Sequence, residues 1–278
     1  MSGASLRVLA PAARRLAPPA VVLGILVLAA VLGPLLWNES ATATHLGASL
    51  LPPSPAHPFG TDSSGRDSLA RFLVGARISL LAGTVVVVSS ALVGIPLGLV
   101  AALCGGWLDL VILRVLDVVL AFPQIVLAMA IAIGLGAGVP SALVGAALGC
   151  IPVYARLVRA EALQLQTRGF VRAARTAGIP TARIVLDHFL PHMRPTLLVQ
   201  SAAVFGSAIV TLAALSFIGL GAQIPTSEWG AMIADGIGSS LVGAWWVVAF
   251  PGLGLFVAVA GANVLADRLQ VALSGGAS

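Results

Sequence analysis

Six long apolar runs, separated by shorter polar stretches, dominate the pattern of the chain. A helix needs about 20 apolar residues to cross the hydrocarbon core of a bilayer, and each run is close to that length. The pattern therefore predicts an all-α polytopic membrane protein with six transmembrane helices. The runs lie near residues 19–37, 79–103, 115–136, 139–158, 195–220 and 246–266.

The first run follows Arg7, Arg14 and Arg15 and resembles a signal peptide with a small-residue cleavage site near Ala41 to Ala43. Its length and the five further runs favour an uncleaved anchor. We therefore expect five regions: a cytoplasmic tail (1–18), a first transmembrane helix (19–37), an extracytoplasmic segment with a short helix (38–77), a core of five transmembrane helices (78–266) and a second cytoplasmic tail (267–278).

The distribution of arginines predicts the orientation. Short cytoplasmic loops of membrane proteins are enriched in Lys and Arg. With the N-terminus inside, only Arg66, Arg71 and Arg77 of the 15 basic residues fall outside, in one long segment that also carries Asp62 and Asp67. The sequence therefore predicts that both termini are cytoplasmic.

The composition narrows the chemistry. The chain is 59% hydrophobic and 9% charged, whereas a soluble domain is about 25% charged. All its basic side chains other than histidine are arginines, which excludes a lysine-dependent phosphate loop and Schiff-base catalysis. Cys104 and Cys150 stand apart in apolar sequence, and we expect free, inert thiols.

The segment 156–194 carries seven arginines against Glu161 and Asp187. Placing seven arginines at the bilayer centre would cost roughly 20 kcal/mol. This loop is therefore predicted to be cytoplasmic.

Inside this loop we predict a helix from about Arg168 to Ala177, because Gly178 can take the left-handed conformation that ends helices and Pro180 cannot continue one. A second short helix is expected from Thr181, with a break at Pro191.

The first of these helices has two distinct faces. Small or apolar residues recur at intervals of three and four, which permits close approach of another surface, and a basic edge runs beside them. A solvated loop that only fixes topology or contacts anionic lipid remains an alternative. The apolar face comprises Phe170, Ala173, Ala174 and Ala177, and the basic edge Arg168, Arg172 and Arg175.

The spacing of Ala173, Ala174, Gly178, Leu190 and Pro191 resembles the EAA loop of permeases from ATP-binding-cassette importers. In that family the loop forms a coupling helix that sits in a groove of the ATPase. The resemblance implies docking by Arg168, Phe170, Val171, Arg172, Ala173, Ala174, Arg175, Ala177, Gly178 and Ile179, and shaping of the loop by His188, Leu190 and Pro191.

Six further blocks resemble the second permease subunit of dipeptide, oligopeptide and nickel importers. The resemblance implies a type I ABC importer permease fold in the prokaryotic cell membrane, forming half of a pathway for di- or oligopeptides, with nickel or another small solute as the alternative. The blocks are residues 57–83, 117–124, 188–191, 215–221, 228–232 and 245–253.

The same resemblance implies the partners. They are a homologous second permease in a heterodimer, two ATPase subunits that hold ATP and Mg, an extracytoplasmic binding protein and membrane lipids. No nucleic acid is expected, and no cofactor or catalytic residue is expected on this chain.

The chain departs from the family pattern at two positions. Arg172 stands where a glutamate is usual, and His192 where an asparagine is usual. A glutamate contact to the ATPase cannot be transferred to this chain. We hypothesise that Arg172 meets an acidic or neutral patch on its own ATPase.

Candidates to line the pathway are Phe122, Pro123 and Gln124 near the start of the third run, and Asn263 in the last run. A membrane-embedded hydrolase is not favoured, because Asp117 stands alone and the histidines fall in loops. An ion-coupled secondary transporter is also less favoured, because no charged residue falls in the middle of a run.

Several remaining features receive structural interpretations. His188 and His192 are four residues apart but lack a third ligand, so a structural role is preferred to metal binding. The stretch 223–246 is interpreted as a short helix at the membrane interface because it carries three tryptophans, with substrate contact as the alternative.

Turn and packing signals are also present. The stretch 60–67 has the composition of a turn capped into a helix by Asp62, Ser63 or Ser64. Small-residue helix contacts are predicted at the pairs Gly94/Gly98, Gly134/Gly138 and Gly145/Gly149.

Overall fold

The computed structural model describes the backbone of residues 3–274 and the side chains of residues 18–37 and 40–271. Within these ranges the regular structure is helical, with one isolated antiparallel bridge between Thr61 and Asp67. The α-helices are α1 (Gly3–Thr42), α2 (Ser68–Cys104), α3 (Gly106–Leu120), α4 (Gln124–Leu135), α5 (Val139–Gln166), α6 (Gly169–Thr176), α7 (Thr181–Ile184), α8 (Leu190–Phe217), α9 (Trp229–Leu241) and α10 (Trp246–Ser274).

Five helical segments of the described chain are long and apolar enough to cross a membrane, and the bent pair of α3 and α4 makes a sixth if it is counted as one span. The all-α fold with six spans is therefore confirmed in this sense. The segments are Pro18–Trp37, Ser68–Cys104, Val139–Gln166, Thr181–Phe217 and Trp246–Val271.

The third predicted span is not a straight helix. Its two parts, α3 and α4, meet at an angle of 87°. Pro123 has an extended backbone (φ −54°, ψ 130°) where α4 begins, and a proline has no N–H for the helix ladder. The break at Ala121–Pro123 thus falls inside the run 115–136.

The predicted break at Pro191 is wrong. A π-helical turn, Val185–Phe189, joins α7 to α8 in a single helical segment from Thr181 to Phe217. The N–H of Leu190 bonds to the carbonyl of Val185, five residues back. Because a π turn shifts the ladder by one residue, Pro191 enters the first turn of α8, where its missing N–H is tolerated.

Two of the three predicted glycine pairs do bring helices together. A Cβ atom on Gly94 would lie 2.7 Å from the Ile151 carbonyl oxygen of α5, and one on Gly145 would lie 2.7 Å from the Cα atom of Ala128 in α4. The pair Gly134/Gly138 is a wrong prediction: a Cβ on Gly134 would meet nothing within 4 Å, and Gly138 lies before α5 with φ +157°.

The stretch 60–67 folds as a turn that leads into α2. Asp62 accepts the backbone N–H groups of Ser64 and Arg66, at 2.8 and 2.9 Å. The cap of α2 is Asp67, which accepts the N–H of Ala70 at 2.8 Å. The turn was predicted, but the capping residue was not. The short helix expected in the segment 38–77 is matched only by a 3₁₀ turn, Leu46–Ala48.

The predicted interfacial helix exists as α9, but its first tryptophan does not face an interface. Trp229 is fully buried, stacks on Phe72 with ring centroids 5.4 Å apart and donates its indole N–H to the Phe72 carbonyl at 3.1 Å. Trp246 is also buried, whereas Trp245 is exposed. Helix α9 is therefore held by the bundle.

Candidate functional site

The helix predicted at Arg168 to Ala177 is α6, and two of its side chains fix it to the end of the bundle. Val171 and Ala174 are buried in an apolar cluster with Val158 of α5 and Phe189 of the π turn. These side chains recur three residues apart, so they share one face of a short helix.

The end of α6 has the geometry of a Schellman motif. Gly178 has φ +75°, its N–H bonds to the Arg175 carbonyl at 3.0 Å, and the N–H of Ile179 bonds to the Ala174 carbonyl at 3.1 Å. The prediction that Gly178 ends this helix is confirmed, because its backbone takes the left-handed conformation. It closes α6 after two turns and sends the chain into α7.

The neighbouring face of α6, about a quarter turn from the buried side chains, is exposed. Phe170, Ala173 and Ala177 lie there, and 44% of the Phe170 surface is accessible. The sequence grouped Ala174 with this face, but Ala174 is buried on the underside with Val171. The apolar surface open to a partner is therefore a row of three residues at intervals of three and four.

The two histidines of the loop lie against Phe170. Ring centroids are 5.9 Å apart for Phe170 and His188 and 6.1 Å apart for Phe170 and His192. Among the described residues, no group of three or more His, Cys, Asp and Glu could hold a metal ion. The histidines therefore pack beside the exposed row, while Leu190 and Pro191 form the start of α8 beneath them.

The arginines of α6 carry charge on its exposed edge. Arg172 donates from Nη2 to the Thr167 carbonyl at 2.8 Å, and Arg175 donates from Nη2 to Oε1 of Gln166 at 3.4 Å. Arg168 is exposed where α6 begins. Neither Arg172 nor Arg175 bonds to an acid in these contacts. Their positive charges are therefore not compensated by these bonds and are available to an outside partner.

Two arginines of the basic segment belong instead to the bundle. On α5, Arg159 makes a bidentate bond to Asp109 of α3, at 2.6 Å for each N–O pair. Arg156 forms an ion pair with Asp117 of α3. The prediction that Asp117 stands alone is wrong. The sequence shows these four charged residues but not their pairing, because the partners lie 39 and 50 positions apart.

The candidate pathway residues are not gathered at one place. Phe122 and Pro123 are exposed at the bend between α3 and α4, whereas Gln124 faces α5 and donates from Nε2 to Sγ of Cys150 at 3.4 Å. Asn263 is exposed on α10, alongside Gly206 of α8.

A buried ion cluster lies at the other end of the bundle, and the sequence did not predict it. Asp62 Oδ2 accepts from Arg66 Nε and from Arg71 Nη1, each at 2.6 Å. Asp235 of α9 accepts from the same two arginines at 3.0 and 3.2 Å. The cluster joins the segment before α2 to α9.

Comparison with known proteins gives relatives over most of the chain. It is 41% identical over 251 residues to the Probable D,D-dipeptide transport system permease protein DdpC of Escherichia coli (90% of this chain, 84% of the relative). It is 40% identical over 253 residues to the Dipeptide transport system permease protein DppC of Alkalihalophilus pseudofirmus (91% and 83%). It is 42% identical over 221 residues to the Glutathione transport system permease protein GsiD of Pectobacterium atrosepticum (80% and 73%).

The fold is similar to that of a solved transporter chain. A chain of the inward-facing MetNI methionine ABC transporter matches with a TM-score of 0.59 and 19% identity, over 72% of this chain and 95% of that chain. The family model described as the binding-protein-dependent transport system inner membrane component matches residues 94–277. This range contains α6 and the helices that hold it. The chain therefore belongs to the family of inner membrane components of binding-protein-dependent transport systems.

Proposed function

We propose that this chain is the permease subunit of an ATP-driven importer and forms half of the pathway for di- or oligopeptides. An extracytoplasmic binding protein delivers the peptide, and a second permease completes the pathway in the prokaryotic cell membrane. The names of three relatives, which specify dipeptides and glutathione, support a peptide substrate. Nickel or another small solute is the second candidate.

We further propose that an ATPase subunit docks on α6. The observation that supports this proposal is that α6 has one buried face and one exposed face. Val171 and Ala174 anchor the helix in the bundle. The exposed row consists of Phe170, Ala173 and Ala177. An anchored helix can pass a displacement to the spans that hold it. ATP and Mg reside on the ATPase subunits, and hydrolysis takes place there.

Arg172 has two roles in this proposal. Its bond to the Thr167 carbonyl braces the turn before α6, and its exposed charge meets an acidic or neutral patch on the ATPase. Arg172→Glu should therefore weaken ATPase docking. Transport-coupled ATP hydrolysis at the wild-type rate in this variant would contradict a specific role for the arginine.

The proposal is tested in proteoliposomes that contain the assembled complex, with a labelled dipeptide and the binding protein. Ala173→Glu places a charged side chain in the exposed row and should abolish peptide-stimulated ATP hydrolysis and uptake. The matched control is Ala56→Glu, an exposed alanine in the segment before α2, which should leave ATPase docking intact.

Two outcomes would contradict the proposal. Wild-type coupling in Ala173→Glu would exclude docking on this face of α6. Peptide uptake by the chain without any ATPase would indicate a secondary transporter. Uptake of radioactive nickel but not of peptide in the same vesicles would favour the second candidate substrate.

A further inference from the structure

A groove of about 460 Å³ runs between α1 and α2 on the outer surface of the bundle. Its walls are almost entirely apolar, and side chains such as Val27, Val31 and Leu81 are more than half exposed along it. One end carries a single charged residue, Arg77. The complete lining is Val27, Ala30, Val31, Pro34, Leu35, Arg77, Leu80, Leu81 and Thr84.

Arg77 lies near the start of the apolar part of α2, where its long side chain can extend toward the lipid headgroups. Helix α2 has 37 residues and is about 55 Å long, which exceeds the hydrocarbon thickness of about 30 Å. The apolar run begins at residue 79, two positions after Arg77. The groove therefore extends from the arginine into the depth of the bilayer.

Arg77 differs from its two neighbours in charge balance. Arg66 and Arg71, on the same side of the bundle, both bond to Asp62 and Asp235. Arg77 is exposed, and among the described residues no acid lies within ion-pair distance of it. An exposed guanidinium at this depth attracts an anion, and arginine suits phosphate because its N–H groups form a planar fork.

We propose that this groove binds one anionic phospholipid, with the phosphate on Arg77 and an acyl chain along the α1–α2 groove. The apolar walls match the chain, and the arginine matches the negative headgroup. The lipid would lie in the leaflet on the side of the 43–67 segment. The proposal does not depend on the transported solute or on ATPase docking.

The test is native mass spectrometry of the full chain, alone and in its assembled complex, with phosphatidylglycerol and phosphatidylcholine of identical acyl chains. One arginine near a lipid surface should favour the anionic lipid about five-fold. Arg77→Gln should bring that ratio close to one, because phosphatidylglycerol binding falls more than phosphatidylcholine binding. Arg114→Gln, which changes an exposed arginine on α3, should keep the ratio.

A groove variant separates lipid from free phosphate. Val31→Trp should fill the groove and reduce binding of both lipids, and inorganic phosphate should not displace phosphatidylglycerol. The proposal is overturned by an unchanged lipid ratio in Arg77→Gln, by unchanged lipid binding in Val31→Trp, or by phosphate displacing the lipid. Loss of the bound lipid when the second permease assembles would also overturn it, because the groove would then be covered by protein.

Discussion

The carboxyl group of Glu228 lies fully buried between α2 and α9. One oxygen accepts the N–H of Ala231 at 3.0 Å and caps α9, and the other accepts the hydroxyl of Ser79 at 3.1 Å. Glu228→Ala leaves both donors without a partner and should cost about 2 to 4 kcal/mol of stability.

Glu228→Gln is the matched control, because its amide oxygen can still accept one of these bonds. Its loss should be clearly smaller than that of Glu228→Ala. The measurement is the thermal midpoint of the detergent-solubilised protein by fluorescence-detected size exclusion. Equal midpoints for Glu228→Ala and the wild type would contradict the buried cap.

Asp62 is the hub of the external ion cluster, since it accepts four hydrogen bonds from Ser64, Arg66 and Arg71. Asp62→Asn removes one of the two negative charges that compensate two buried guanidinium groups and should cost about 3 to 5 kcal/mol. Asp187→Asn breaks an exposed pair with Arg183 and should cost at most about 1 kcal/mol. Thermal midpoints of the two variants check the difference, and a shift of equal size in both would contradict the role of the cluster.

Which charges are paired could be predicted only in part from the sequence. The excess of arginines in 156–194 correctly marked a loop with an exposed basic edge. It could not indicate that Arg156 pairs with a residue 39 positions earlier, or that Arg71 meets a residue 164 positions later. Such partners depend on which helices pack together, and local pattern carries no record of that packing.

At the scale of elements, the sequence correctly predicted those features that a few adjacent residues determine. Gly178 ends α6 because its positive φ is accessible to glycine, and this follows from a few adjacent residues. Hydropathy alone gives no sign of the bend between α3 and α4, because it averages over the whole run, but Pro123 within that run does indicate a kink. The helix through Pro191 was missed because a π turn leaves no clear mark in the sequence.

The close approach of α2 and α5 gives a prediction for helix packing. In Gly94→Ala the new Cβ would lie 2.7 Å from the Ile151 carbonyl oxygen and from the Tyr154 Cβ, so the helices must separate. We expect a loss of about 1 to 3 kcal/mol. Gly134→Ala, in open space on α4, should be neutral or stabilise by up to about 1 kcal/mol. Thermal midpoints test the pair, and equal midpoints would contradict close packing at Gly94.

At the scale of the molecule, apolar runs predicted the number and order of the spans, because the bilayer demands a minimum helix length. They did not separate a helix at the interface from one inside the bundle. A tryptophan side chain is compatible with both locations. Only the contacts of Trp229 with Phe72 on α2 show that it lies in the interior of the bundle. Apolar pattern therefore predicts the spans better than it predicts which helix surfaces pack together.

Orientation is a prediction for the whole molecule. With both termini inside, a thiol at exposed Ser63 should react with a membrane-impermeant maleimide on intact cells, and a thiol at exposed Thr181 only after lysis. Ser63→Cys and Thr181→Cys are made in a Cys104→Ser background, because Cys104 is exposed whereas Cys150 is buried. Labelling of Thr181→Cys on intact cells would contradict the orientation.

The π turn Val185–Phe189 preserves the rotational phase between the loop and the membrane span that follows it. Each residue of an α-helix advances the chain by about 100°, and the π turn contains the equivalent of one residue more than an α turn. Deleting exposed Leu186 would convert it to an α turn and leave the orientation of α8 nearly unchanged, whereas deleting a residue from an α-helical stretch would rotate α8 by about 100° relative to α6 and α7. The five residues of this π turn thus accommodate one extra residue without changing the angular register between α7 and the span that follows it.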